Sequence, residues 1–184
     1  MNIELNENFK GKCLVSMPNV GNDIFHQSVI YITEHSTISG AIGVIINKTL
    51  EEDQKKLTDF EFQHYPKQWR NIPMNLGGPV KLGSGFLLHL ADDSSKLVLT
   101  GTQQKIRQLA REEQVTPLML TAGFCLWETL QLENEVRFNN WLVLDDSARH
   151  LLSITDPRNR YAEALRLAGV NNLATFDFRG AGNA

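Results

Sequence analysis

The sequence predicts a single α+β domain with a largely antiparallel sheet. Strand-like runs rich in β-branched and aromatic residues come first and are joined as hairpins, whereas helix-like patterns fall mostly in the second half. The chain has 184 residues, a length that one domain can fill with its own core. No period of roughly 20 to 50 residues recurs. We therefore expect one domain over 1–184, with flexible ends at 1–10 and 177–184.

The first half is built of strand-like runs. CLVSM, after Gly11, predicts a short strand that ends at Pro18. The segment 28–48 predicts an antiparallel hairpin, because two runs rich in Val and Ile flank a loop from His35 to Ser39. Leu50–Arg70 has no comparable pattern, and we expect only a short helix there.

The second half mixes strands and helices. Further strands are predicted at Phe86–His89, Leu97–Thr100, 117–124 and 141–145. Helices are predicted at 103–113, from Trp127 to Asn140, and from Asp156 to Gly169. The last helix has the clearest signals, since Asp156 can cap it, Pro157 suits its first turn and Gly169 can end it.

Composition excludes several classes of protein. The formal net charge is −3, so bulk affinity for nucleic acid is not expected. Two cysteines, Cys13 and Cys125, stand far apart without a neighbouring metal-ligand pattern, which favours a reduced, cytoplasmic protein. No apolar run approaches the ~20 residues of a membrane span. We expect no membrane partner and no cofactor.

The segment 73–90, PMNLGGPVKLGSGFLLHL, is the most unusual stretch of the chain. Four glycines fall within nine residues, between two apolar runs. Such a loop, Gly77–Gly85, can cradle an anion on backbone amides, but the lysine and hydroxyl of a phosphate-binding loop are missing. A tight crossing of two backbones is the favoured interpretation, and a ligand site is the alternative.

Other candidate chemistry is incomplete. The histidines at 26, 35 and 89 have no metal-ligand spacing, so each is interpreted as a hydrogen-bonded structural residue. Glu128, Gln131 and Glu135 share one helical face, which is interpreted as solvated. No nucleophile motif is present. We therefore predict no catalytic residue and no metal site. A group of late cations offers a possible nucleic-acid surface, namely Arg149, His150, Arg158, Arg160 and Arg166.

Three segments resemble a known family. FHQSVIYITEHSTISGAIGVIINK, NLGGPVKLGSGFLLH and GFCLWETLQLENEVRFNNWL, in this order and spacing, are similar to the AlgH (YqgE) family of small bacterial proteins. The resemblance implies an α+β domain whose mixed sheet is folded into a barrel-like shape. It also implies the family's label of transcriptional regulator. This sequence departs from the family at Leu130, which stands where the family has glycine before Gln131.

We expect a non-enzymatic binding or regulatory protein that acts on a protein partner. Polar side chains at the ends of apolar elements need hydrogen-bond partners, and three glycine-bearing segments can bring them to one place. The predicted binding surface comprises Asn47, Gly77, Gly78, Pro79, His89, Trp127 and Gln131. One alternative is a small-molecule or anion-binding protein, or an enzyme, with its site at the Gly77–Gly85 loop. The other is nucleic-acid binding through the late arginines.

Overall fold

The protein folds as a single α+β domain in the computed structural model. The structure describes residues 7–18, 23–50, 65, 69, 72, 74–91, 96–112 and 115–170. Within these ranges the strands are β1 (Cys13–Ser16), β2 (Val29–Ser36), β3 (Gly40–Ile45), β4 (Met74–Leu76), β5 (Val80–Leu90), β6 (Leu97–Thr100), β7 (Thr116–Trp127) and β8 (Trp141–Leu144). The helices are α1 (Gln103–Glu112), α2 (Gln131–Arg137), α3 (Ala148–Ser153) and α4 (Arg160–Leu167), with a 3₁₀ turn at Pro157–Asn159.

All eight strands belong to one folded sheet. Its order is β6-β5-β7-β3-β2-β1-β8, and β4 pairs in parallel with β7 beside this path. The other pairings are antiparallel, which confirms the predicted class. The sheet is not closed, because among the described residues β6 and β8 each have one paired edge. β6 nevertheless packs against β2 without pairing with it.

The predicted hairpin is confirmed as β2 and β3. Ile30 lies opposite Ile45 and Ser36 opposite Gly40, with a register shift between Ile32 and Glu34. The connecting loop is shorter than expected, since only residues 37–39 lie between the strands. Buried aliphatic side chains on both faces explain the near-continuous apolar runs of these strands.

β7 is the central strand, and its length was not predicted. It runs for twelve residues and pairs with β3, β4 and β5. We expected Trp127 to begin a helix, but it ends β7 opposite Ala41 of β3. Pairing with a strand that is distant in sequence therefore overrides the local helical pattern, and α2 begins only at Gln131.

The glycine-rich segment is mostly strand. Val80–Leu90 form β5, so the predicted loop over Gly77–Gly85 is reduced to a turn at 77–79. The Gly77 N–H donates to the Ala122 carbonyl, and its own carbonyl accepts from the Ile45 N–H, both at 2.8 Å. A Cβ atom on Gly77 would collide with the Gly123 carbonyl oxygen. The glycines thus serve the close backbone crossing that was the favoured interpretation.

The last helix forms in two parts. The Asp156 side chain accepts from the Arg158 N–H at 3.0 Å and caps the 3₁₀ turn that leads into α4. Gly169 follows α4 with a left-handed φ of +80°, as expected for a helix end. The expected helix within Leu50–Arg70 and the expected flexible tail at 177–184 lie largely or wholly outside the described residues.

Candidate functional site

Asn47 lies beside the glycine turn but is occupied by the chain itself. Its Oδ1 accepts from the Val29 N–H at 2.7 Å, and its Nδ2 donates to the Gln27 carbonyl at 2.8 Å. Neighbouring backbone bonds, from Ile45 to Gly77 and from Leu76 to Lys48, hold this segment against β4. Asn47, Gly77 and Gly78 are buried, whereas Pro79 is exposed. Asn47 and the 77–79 turn therefore lie in adjacent segments, and the amide group of Asn47 bonds the backbone of the chain itself.

The side chains of Trp127 and Gln131 both donate hydrogen bonds to the carboxylate of Glu135. Glu135 Oε2 accepts from the indole N–H groups of Trp127 at 2.9 Å and Trp141 at 2.7 Å. Glu135 Oε1 accepts from Gln131 Nε2 at 2.9 Å, and Gln131 Oε1 accepts from the Glu128 N–H. This network joins α2 to the ends of β7 and β8. Glu128 and Gln131 are exposed, as the solvated interpretation expected, whereas Glu135 is half-buried and holds two indoles, which corrects that interpretation for Glu135.

His89 lies apart from both groups. It stands opposite Pro117 on β7. Pro117 precedes Trp127 by ten residues, and ten residues of extended strand span roughly 30 Å. Its Nδ1 donates to the Leu90 carbonyl at 3.0 Å, and Nε2 lies 3.1 Å from Thr100 Oγ1. The expectation of one common locus is thus corrected, because the structure does not bring His89 to Asn47, Gly78 and Trp127. The role of all seven residues as a binding surface stays a prediction.

Both cysteines and the His35 side chain are enclosed by the protein. Burial raises the pKa of the Cys13 thiol to about 12 and also raises that of Cys125, so both stay protonated at neutral pH. The His35 side chain is 2% exposed, and its ring accepts from the Phe9 N–H and donates to Glu133 Oε1 at 3.0 Å. Within the described ranges, no group of three His, Cys, Asp or Glu side chains is placed to hold a metal.

The late cations differ in their surroundings, since Arg149 is exposed and the other four bond groups of the chain itself. Arg160 is buried, and its guanidinium donates to the carbonyls of Ile46, Leu152 and Ile154. Arg158 pairs with Asp156 at 2.8 Å. His150 and Arg166 both bond Glu163, at 2.6 and 2.8 Å. Arg160 is therefore a core-linking residue, which corrects its place in the predicted nucleic-acid surface.

A pocket of about 320 Å³ opens where β6 approaches β2, and we call it the seam pocket. It falls at the lower end of the range for small-molecule sites. Five strands and the segment before β1 contribute to it. The lining residues are Lys10, Thr33, Glu34, Ile42, Phe86, Lys96, Leu97, Val98, Leu99, Gly101 and Phe124.

The seam pocket combines an apolar floor with a charged rim. The rings of Phe86 and Phe124 meet edge to face with centroids 5.2 Å apart. Thr33 uses its hydroxyl to donate to the Ile42 carbonyl at 3.1 Å. At the rim, Lys10 Nζ lies 2.5 Å from Glu34 Oε2. The lining thus brings four polar side chains, those of Lys10, Thr33, Glu34 and Lys96, beside the apolar ones.

Sequence reasoning missed the seam pocket. Its lining residues come from positions between 10 and 124, and no short motif links them. Phe86 was assigned to a strand but was not chosen as a site residue. A second depression, of about 560 Å³, runs along α1, but all of its described lining residues belong to that one helix. The seam pocket is the better candidate because several elements converge on it.

These features define a small α+β protein with an open, folded sheet and a ligand-sized pocket at its seam. No helix in the part of the chain that the structure describes is long and apolar enough to cross a membrane. The AlgH-like family profile matches residues 13–173. The chain therefore belongs to the AlgH-like family.

Relatives and solved structures agree with this assignment. The chain is 31% identical to UPF0301 protein YqgE of Escherichia coli, with 90% of this chain and 95% of that protein covered. It is 29% identical to UPF0301 protein NMB1336 of Neisseria meningitidis, over 96% and 100% of the two chains. The solution structure of AlgH from Pseudomonas aeruginosa matches with a TM-score of 0.64 and 28% identity, covering both chains in full. Protein DIP2367 from Corynebacterium diphtheriae, 20% identical over 89% of each chain, shares the fold with a TM-score of 0.59.

Proposed function

We propose that this protein is a non-enzymatic binding protein whose ligand occupies the seam pocket. The supporting observation is the pocket itself, where Phe86 and Phe124 offer an aromatic floor to a small molecule. Apolar pockets with a few placed polar groups are the usual form of ligand sites. The pocket adjoins the Gly77–Gly85 segment, where the sequence suggested an anion or small-molecule site, because Phe86 follows Gly85 and Phe124 pairs with Val80. Its described lining residues lie outside that segment.

A regulatory role follows if occupancy changes how β6 meets β2. These two strands contact each other without a hydrogen-bonded ladder, so their separation depends on side chains and on whatever fills the pocket. A ligand that binds one separation better than another would shift the population toward it. The proposal includes a protein partner that binds one separation of β6 and β2 better than another. It also includes a location in the cytoplasm.

Fragment binding followed by NMR tests the proposal. We expect small apolar and aromatic fragments to shift the resonances of Phe86, Phe124 and the β6 amides. Val98→Trp fills the pocket from β6 and should abolish these shifts. Ile38→Trp is the matched control, because Ile38 is 85% exposed and does not line the pocket.

A second variant keeps the test informative if Val98→Trp does not fold. A Cβ atom on Gly101 would collide with the Phe86 ring, so Gly101→Ala should push that ring and reduce fragment binding. Folding of each variant is checked by its thermal unfolding. The proposal is contradicted if folded Val98→Trp and Gly101→Ala proteins bind the fragments as well as Ile38→Trp does.

A further inference from the structure

We propose that the outer edge of β8 pairs with the same edge of a second copy of this chain and forms a symmetric dimer. The described lining of the seam pocket includes no residue of β8, so this inference does not rest on the proposed function. Three features support it. They are the unpaired backbone groups of β8, the register in which two copies satisfy them, and the charges that flank the strand.

β8 lies at the end of the sheet opposite to β6. It pairs with β1 along one edge, and no described strand pairs with its other edge. The two ends of the sheet differ, because β6 packs against β2, whereas β8 packs closely only with β1 and α2 among the described elements. An uncovered strand edge is a template for pairing with another chain.

The register shows which backbone groups of β8 lack a partner. The Met17 N–H donates to the Asn140 carbonyl, and Ser16 lies opposite Trp141. Bonded and non-bonded pairs alternate along an antiparallel ladder, so Trp141 and Val143 direct their N–H and C=O groups away from β1. Within the described part of the chain, no backbone group bonds them from the other side. The outer edge of β8 thus offers donors and acceptors in equal number, as a strand partner requires.

Two copies of β8 satisfy these groups together in one register. Only an antiparallel pairing with Leu142 opposite Leu142 of the second copy sets each Trp141 opposite a Val143. Each of these pairs can then exchange two N–H···O bonds across the two-fold axis. Leu142 is half-buried, and its side chain gains a cross-strand neighbour at the axis. Phe138, before β8, is 74% exposed and belongs to a residue type that is enriched at interfaces.

The charges that flank β8 favour a second copy over an unrelated strand. Arg137 lies before the strand, whereas Asp145 and Asp146 lie after it, and all three are exposed. Asp145 bonds Lys12 of its own chain at 3.1 Å, but Arg137 and Asp146 have no ion pair among the described residues. An antiparallel copy reverses the direction of β8, so the basic end of each copy meets the acidic end of the other. The two-fold axis makes this contact twice.

Hydrogen exchange measured by NMR at two protein concentrations tests the inference directly. The amides of Trp141 and Val143 should exchange rapidly in dilute protein and about tenfold more slowly at about 1 mM, where the dimer forms. The amides of Leu142 and Leu144 face β1, so they should be protected at both concentrations. They are the internal control for the stability of β8 itself.

Sedimentation equilibrium of the wild type and four variants tests the register. Val143→Pro removes an outward N–H but no bond to β1, so it should abolish the dimer and keep the fold. Arg137→Gln should weaken association about tenfold, because each dimer loses two contacts. Asp146→Asn, which suits the φ of 45° at that position, should do the same, and the double variant should lose no more than either single variant. Arg111→Gln, exposed on α1, is the matched control and should have no effect.

The inference is overturned if the wild type remains a monomer up to about 1 mM. A dimer that folded Val143→Pro still forms would also overturn it, because the interface would then lie elsewhere. If thermal unfolding shows that Val143→Pro does not fold, the amide exchange and the charge variants decide. Unchanged exchange at Trp141 and Val143, or additive losses from the changes at Arg137 and Asp146, would contradict the pairing.

Discussion

Gly77 and Gly123 approach so closely that a Cβ atom on Gly77 would collide with the Gly123 carbonyl oxygen and lie 2.7 Å from Thr121 Cβ. Gly77 also joins β7 to β3 through its two backbone hydrogen bonds. The segment before β5 therefore crosses the central strand at a distance that only glycine permits.

Gly77→Ala should lower the free energy of unfolding by about 3 kcal/mol, because backbone atoms must move to make room for the methyl group. Gly11→Ala is the control. Gly11 has a φ of +85° but nothing within 4 Å of an added Cβ, so only about 1 kcal/mol should be lost there. Urea unfolding measures both, and an equal loss would show that the crossing tolerates a side chain.

The hydrogen bonds of Glu135 predict the effect of neutralising it. Glu135→Gln keeps the shape of the side chain but replaces one acceptor oxygen by a donor, so about 2 kcal/mol of stability should be lost. The indole N–H resonances of Trp127 and Trp141 should both move, with Trp69 as the internal reference. The exposed Glu128→Gln is the matched control. Unchanged indole resonances in Glu135→Gln would argue against the network.

Leu130 has an unfavourable backbone conformation for an L-residue. It lies just before α2 with φ 61° and ψ 2°, in the left-handed region that costs roughly 1–2 kcal/mol for an L-residue. Leu130→Gly should raise the free energy of unfolding by about 0.5–1 kcal/mol, after allowance for the greater chain entropy of glycine in the unfolded state. Leu130→Ala keeps the Cβ atom and should give no gain. A gain from alanine equal to that from glycine would assign the effect to the side chain instead.

Arg160 should be far more important for stability than its neighbour Arg158. Lysine cannot replace a planar guanidinium that donates to the three carbonyls of Ile46, Leu152 and Ile154. Arg160→Lys should therefore cost about 3 kcal/mol. Arg158→Lys should cost less than about 0.5 kcal/mol, since that side chain is 80% exposed. Similar losses of stability in the two variants would instead support a place for Arg160 in the surface patch predicted from the sequence.

Glu163 gives a prediction for acid pH. Hydrogen bonds from Arg166 and then His150 lower the pKa of its carboxyl from 4.5 to about 2. The folded state therefore favours the carboxylate, and the stability it contributes is present above pH 4.5 and lost as the pH falls toward 2. Arg166→Gln should raise the pKa of Glu163 toward its ordinary value. Carbon-detected NMR titration of the side-chain carboxyl measures this, and an unchanged pKa would show that Arg166 is not the cause.

Local signals explain what could be predicted from the sequence. The β2–β3 hairpin and the last helix depend on neighbours in the chain, such as the cap at Asp156 and the stop at Gly169. Trp127 was assigned to a helix because its pairing with Ala41 is invisible to a local pattern. Arg160 was assigned to the surface because arginine is rarely buried without a charged partner.

Local patterns in the sequence predicted the candidate site even less well than the fold, because the site depends on contacts between distant segments. The sequence singled out polar residues at element ends, and most of these bond the chain itself, as Asn47 and His89 do. The seam pocket depends on how far the sheet folds before β6 meets β2, which is set by the whole sheet rather than by any segment. Its lining residues, such as Phe86 and Val98, are ordinary strand residues in the sequence.

Native mass spectrometry of the protein, isolated from its own cells without denaturation, shows whether the seam pocket carries a ligand. We expect a bound small molecule that is retained by Ile38→Trp and absent from folded Val98→Trp. Equal retention of that molecule by the two variants would show that the ligand lies elsewhere and would contradict the seam pocket as the functional site.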